Sequence, residues 1–267
     1  MRRILIALLM LVPLTTAAQE SVSSTGPLFM KDMLGGKEFF EPWGVGFDYF
    51  TMDQDYDIKS LNFDLPGFEV DDLSLIDVTN ELQNYDLKVD VWITPFLNVF
   101  GLLGRINADT YVDLSAIPID AAGNNLGTQT VPYSGTVYGG GFTLIYGTEK
   151  WFASVNNTWT GTNLGGDFDS SVSAYTAQPR IGLIRDKWTF YVGGMYLKTN
   201  EKHSGTIELN FPGTAPIPVP FDVELESQNK WNYSAGVFYV FSPKAHILLE
   251  YGFGNRNHTL FNFTYRF

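Results

Sequence analysis

The chain contains no cysteine in its 267 residues, only three histidines, and 17 lysines and arginines against 29 aspartates and glutamates. Without cysteine there is neither a disulfide framework nor a cysteine-linked lipid anchor. The net charge of −12 argues against nucleic acid as a partner. Beyond the first residues no stretch approaches the ~20 consecutive apolar residues of a membrane-spanning helix, so an α-helical membrane protein is excluded. Only 17% of the residues are charged, whereas 15% are aromatic and 26 are glycine.

The first twenty residues read MRRILIALLMLVPLTTAAQE. Arg2 and Arg3, the apolar run Ile4 to Leu14 and the small residues Thr16, Ala17 and Ala18 form the three parts of a secretory signal, expected to be removed near Ala18. Without those two arginines 15 basic residues face the same 29 acidic ones. Residues 1–18 are therefore expected to be the signal, 19–42 a periplasmic segment or plug, and 43–267 a single β-domain. The apolar patch at Leu28, Phe29, Met33 and Leu34 suits a short helix lying on the periplasmic mouth or entering the lumen as a plug, or else one membrane-hugging turn in a disordered leader.

Alternation is the main signal along the chain. Tyr85, Leu87, Val89, Val91 and Ile93 share one strand face, opposite Asn84, Asp86, Lys88 and Asp90. Trp231 to Phe241, Ile247 to Phe253 and Tyr175 to Leu183 repeat the pattern, with small or hydrogen-bonding residues on the second face. Connections alternate in length. Short ones fall at Thr94 to Phe96, Thr148 to Lys150, Arg185 to Lys187 and Ser242 to Lys244, and long ones near Thr51 to Glu81, Ser115 to Pro132 and Thr199 to Glu224. Short turns on one rim and long loops on the other predict an all-β, antiparallel up-and-down transmembrane β-barrel of about ten strands, with eight or twelve as alternatives. The first strand is expected near Trp43–Thr51 and the last near Thr259–Phe267. Trp43, Trp92, Trp151 and Trp188 all fall beside the short-turn rim, where they are expected to form an interfacial aromatic girdle.

The chain closes on Phe261, Phe263, Tyr265 and Phe267 at alternate positions. With the signal segment and a terminal aromatic strand, it resembles the Gram-negative outer-membrane β-barrel class. The resemblance covers the chain from about Trp43 onward and matches no one named family closely. It implies an outer-membrane location, contact with outer-membrane lipid and lipopolysaccharide, and recognition of that last strand by the barrel assembly machinery.

Inward-facing candidates follow from the same parity: Asp48; Asp86, Lys88 and Asp90; Arg105, Asn107 and Asp109; Gln178 and Arg180; Lys230; Glu250; and Arg266. A barrel this narrow forces such charges to pair, and they either line a small conduit or plug it. Asp53, Asp55 and Asp57 have the spacing of a calcium loop, but Ile58 stands where the glycine should be, leaving a weak divalent-ion candidate in the first long loop. His203 and Ser204 are adjacent and would face opposite ways on a strand, a poor hydrolase pair. The expected function is a narrow channel for small solutes, without cofactor. A surface-exposed interaction barrel is the alternative, and an outer-membrane lipid hydrolase comes third.

Overall fold

A computed structural model describes residues 26–63, 73–116, 127–165, 169–209 and 217–267. The expected signal peptide, residues 19–25 and the aspartate-rich stretch from Asp64 to Asp72 lie outside the described residues. Eleven strands follow one another: β1 (Trp43–Phe63), β2 (Asp77–Thr94), β3 (Leu97–Asp113), β4 (Thr128–Gly147), β5 (Trp151–Gly165), β6 (Asp169–Arg185), β7 (Trp188–Leu209), β8 (Ile217–Ser227), β9 (Trp231–Ser242), β10 (Ala245–Phe253) and β11 (Arg256–Arg266). Sequential strands pair antiparallel except β8 and β9, and β11 returns to β1 from Gly44↔Arg266 to Gln54↔Arg256, closing a barrel. Trp43 and Phe267 exchange both backbone hydrogen bonds at the seam. No helix among the described residues is long and apolar enough to cross a membrane.

The ring changes size along its axis. The lower half of β7 pairs with β9, from Trp188↔Tyr239 to Tyr196↔Trp231, whereas its upper half pairs with β8, from Glu201↔Leu225 to Leu209↔Ile217. β8 in turn pairs with the upper half of β1, from Tyr56↔Ser227 to Phe63↔Phe221. The lower barrel therefore has ten strands, while above them β8 alone replaces β9, β10 and β11 and completes a ring of eight. A strand of about 9–11 residues crosses the lipid core, so β1, β4 and β7, at 21, 20 and 22 residues, extend well beyond it.

This corrects two expected loops. Thr51 to Phe63 continues β1 and Asp77 to Glu81 begins β2, while Thr199 to Leu209 and Ile217 to Glu224 form the β7–β8 hairpin. β8 escapes notice because Pro218 and Pro220 interrupt it. Both point outward, in the part of β8 that extends beyond its pairing with β1, where a missing N–H costs no ladder bond on that side. Between them Val219 faces inward, fully buried.

Apolar residues ring the outside of the lower barrel, including Val45, Leu87, Leu103, Leu183, Phe190 and Leu249, all exposed. This is the surface a barrel presents to hydrocarbon. Phe263, Tyr265 and Phe267 belong to it, and Trp43, Trp151 and Trp188 project outward beside the short turns. In the tight β6–β7 turn Asp186 adopts φ 53°, a left-handed conformation that a short polar side chain tolerates. A close approach of β4 to β5 requires glycine: a Cβ at Gly141 would overlap the carbonyl oxygen of Asn157 and press on the Phe100 ring. Replacing Gly141 with valine is expected to destabilise the barrel by about 1–3 kcal/mol, read as a lower urea midpoint for unfolding from lipid vesicles.

Candidate functional site: the barrel lumen

Inside the ten-stranded part lies a cavity of about 710 Å³, lined from Glu38 and Phe40 at the short-turn end to Tyr56, Tyr133 and Glu201 at the other. Its size follows from the ring. Eight strands leave an interior just filled by side chains, and two more strands leave room to spare.

Three polar clusters project into the cavity. In the first, Asp48 of β1 faces Asp86 of β2 directly, and Lys88 reaches Asp48 at 3.2 Å. Asn262 of β11 also donates to Asp48, and Asn84 donates to Asp86 at 2.8 Å. Two carboxylates thus share one lysine, which leaves the cluster with net negative charge.

The second cluster centres on Glu250 of β10, which is 1% exposed. It accepts hydrogen bonds from Arg180 Nε at 2.7 Å and from the Tyr191 hydroxyl at 2.9 Å, and lies 3.3 Å from His258 Nε2 and 3.5 Å from Gln178 Nε2. The Arg180 guanidinium lies over the Tyr191 ring, 5.4 Å from its centroid. Gly252 makes room for the His258 ring, into which a Cβ would project.

The third cluster seals the short-turn end. Arg266 donates to Asp90 at 2.5 Å and to the Glu41 carbonyl at 3.3 Å, and Asn98 donates to Asp90 at 2.6 Å. Below it residues 26–42 cross the mouth, with Leu28 and Phe29 donating backbone bonds to the Trp92 and Ile93 carbonyls. Phe40 turns inward, stacked near-parallel to Trp92 at 6.5 Å and 5.2 Å from the His246 ring. The Arg266 guanidinium lies over both Phe40 and Trp92, at 5.6 and 5.8 Å. Lys37 also bridges to Glu149 in the β4–β5 turn at 2.8 Å and holds its carboxyl below the usual range. Both groups are exposed, so this contact contributes little.

At the far end the inner wall turns apolar. Met52, Leu82, Ile106, Val137, Met195 and Leu197 pack together, with Phe50 and Leu102 against them. A second group, including Tyr56, Val78, Leu114 and Leu225, fills the interior of the eight-stranded end.

Eight of the twelve expected inward residues thus face the lumen: Asp48, Asp86, Lys88, Asp90, Gln178, Arg180, Glu250 and Arg266. Four do not. Arg105, Asn107 and Asp109 point outward, because β3 keeps its parity from Val99 and Leu103. Where β3 leaves the lipid zone the polarity inverts, with Ile106 and Ala108 inward and charged residues outside. Lys230 precedes the first residue of β9 and is exposed. Trp92 is also a correction to the girdle: it shares the parity of Asp86, Lys88 and Asp90, is 8% exposed and faces the lumen. Asp53, Asp55 and Asp57 lie on β1 rather than in a loop, and point outward along one face. Among the described residues no group of His, Cys, Asp and Glu converges to hold a metal. His203, buried beside Glu201 at the far end, His246 and His258 sit in three separate inward settings.

No protein-family model and no curated protein matches the sequence. Solved structures align with it over most of its length. The transport unit of the autotransporter AIDA-I from Escherichia coli aligns over 91% of this chain and 95% of its own, at 11% identity and TM-score 0.42. An outer membrane channel from Pseudomonas putida F1 aligns over 93% and 100%, at 11% identity and TM-score 0.37. The Ralstonia pickettii toluene transporter aligns over 85% and 90%, at 9% identity and TM-score 0.32.

Proposed function

We propose that the protein is an outer-membrane channel for small solutes, exported by residues 1–18 and held closed at its short-turn mouth by residues 26–42. The lumen cavity carries this reading: about 710 Å³ stays open beside the charged and hydrogen-bonding groups of the lipid-facing part of the barrel, space that a packed salt-bridge plug would fill. Asp48, Asp86, Lys88, Arg180 and Glu250 set the field that a solute crosses. The outward rings Phe261, Phe263, Tyr265 and Phe267 serve as the strand read during assembly, and lipid and lipopolysaccharide surround the apolar belt.

The test is planar-bilayer conductance of the refolded chain beside a variant in which Lys88 and Arg180 are both alanine. Removing two cations from the wall is expected to raise the preference for cations over anions. Unchanged ion preference in a conducting variant would show that the current bypasses this lumen, and the reading would fail.

A further inference from the structure

The charges of the lumen do not cancel. Among the described residues, the lysine and arginines that line the cavity each have a carboxylate already: Lys88 has Asp48, Arg180 has Glu250 and Arg266 has Asp90. Glu38 and Asp186 line it at the short-turn rim, and two further carboxylates are left over inside the barrel. Asp86 is 7% exposed and Glu201 2%, and among the described residues no lysine or arginine bridges to either. Each keeps one buried oxygen, Asp86 Oδ1 and Glu201 Oε2, that accepts no hydrogen bond from the described residues. Burying such a group without a donor or counter-charge is costly.

Glu201 sits in a polar belt between two apolar ones. The next inward pair beyond Met52 and Leu82 is Gln54 and Asn80, and on β7 the inward Leu197 gives way to Thr199 and Glu201. Beyond the belt the second apolar group, with Ile76, Val78 and Leu225, fills the eight-stranded end. Glu201 Oε1 accepts from the Tyr56 hydroxyl, and Oε2 faces the His203 Nε2 at 3.5 Å. Asn80 donates to Thr110 Oγ1 at 2.8 Å and to the Tyr133 hydroxyl at 3.1 Å, while its own buried Oδ1 accepts nothing from the described residues. Tyr133 joins the two, its ring 5.7 Å from that of His203. The orphaned atoms of Asn80 and Glu201 are both acceptors, so the belt matches a donor that carries positive charge.

We infer that this belt binds a small organic cation, a primary alkylammonium whose head bonds to Glu201 and Asn80 and whose chain lies on the apolar ring of Met52, Leu82 and Met195. The inference rests on the channel reading above and names its solute class. An alkylamine is protonated at neutral pH, as lysine is, and brings three N–H donors on one centre. A bare metal ion is served poorly, since among the described residues no group of His, Cys, Asp and Glu converges to hold one. An alcohol of the same length lacks the charge, and a fatty acid carries the wrong one. Asp86, unpaired lower in the same cavity, sets a second carboxylate between the short-turn mouth and the belt.

The test uses n-butylammonium chloride, present while the chain refolds into phosphatidylcholine vesicles and during urea titration, against sodium chloride at equal ionic strength. A ligand that binds only the folded barrel raises its urea midpoint. The expected result is a midpoint that climbs with butylammonium concentration, climbs less with ethylammonium, and is not raised by butan-1-ol or sodium butyrate. Glu201→Gln, which keeps the size of the side chain and an acceptor for Tyr56, is expected to lose the rise, and Met195→Gln to lose most of it. An unmoved native midpoint overturns the site. So does a native-sized rise in Glu201→Gln or, where that variant does not fold, in Met195→Gln. Bilayer conductance of the same protein separates the site from the channel reading. Current without the butylammonium rise removes the site and leaves the channel, whereas the rise without current removes the channel and leaves a cation-binding barrel.

Discussion

Replacing Glu250 with alanine is expected to lower the unfolding free energy of the barrel by about 3–5 kcal/mol, the cost of breaking a buried ion pair by removing one partner. Among the described residues Glu250 is the sole carboxylate bonded to Arg180, and it also receives the Tyr191 hydroxyl and faces His258. The alanine variant leaves the Arg180 guanidinium, with side-chain exposure of 10%, without its counter-charge. Urea titration in lipid vesicles, followed by tryptophan fluorescence, measures the change. Adding Arg180→Met is expected to recover much of the loss, because the stranded charge goes with it. A double variant no more stable than Glu250→Ala alone would show that the hydrogen bonds, not the ion pair, carry the stabilisation.

Replacing Phe40 with alanine is expected to enlarge the single-channel steps of the refolded barrel severalfold in a planar bilayer. Phe40 fills the short-turn mouth between Trp92, Phe238 and His246. Removing it deletes a ring that excludes water and leaves Arg266 paired to Asp90 at the rim of a wetted passage. The lower ring has ten strands whatever residue 40 is, so the fold is expected to persist with its midpoint nearly unchanged. If Phe40→Ala folds and its steps match those of the native chain, the block lies instead in the apolar ring around Ile106 and Met195.

The membrane-facing half of the fold was legible because lipid imposes one rule on every strand. Leu87, Val89 and Val91, or Phe263, Tyr265 and Phe267, announce both period and facing. Beyond the lipid the rule reverses. On β3, Leu103 and Arg105 lie on the same outer face although one suits hydrocarbon and the other water. A reading that assigns every charged residue to the lumen therefore misplaces Arg105, Asn107 and Asp109. Trp92 fails for a related reason: parity placed it inside with Asp90, but nearness to a short turn outweighed parity. Phe40 and the ring of Met52, Leu82 and Met195 carried no signal, since only the closed barrel brings them together.

The shared strand β7 has a consequence for the order in which the protein can be built. Its upper half is occupied by β8, and β8 also takes the upper half of β1, so the eight-stranded end closes on itself using nothing beyond Ser227. The wider end must wait for β9, β10 and β11, the last of which meets β1 across almost the full length of the chain, from Arg266 back to Gly44. Contacts of such long sequence separation form slowly. A molecule halted before the last three strands would thus have a finished narrow crown above an unclosed base.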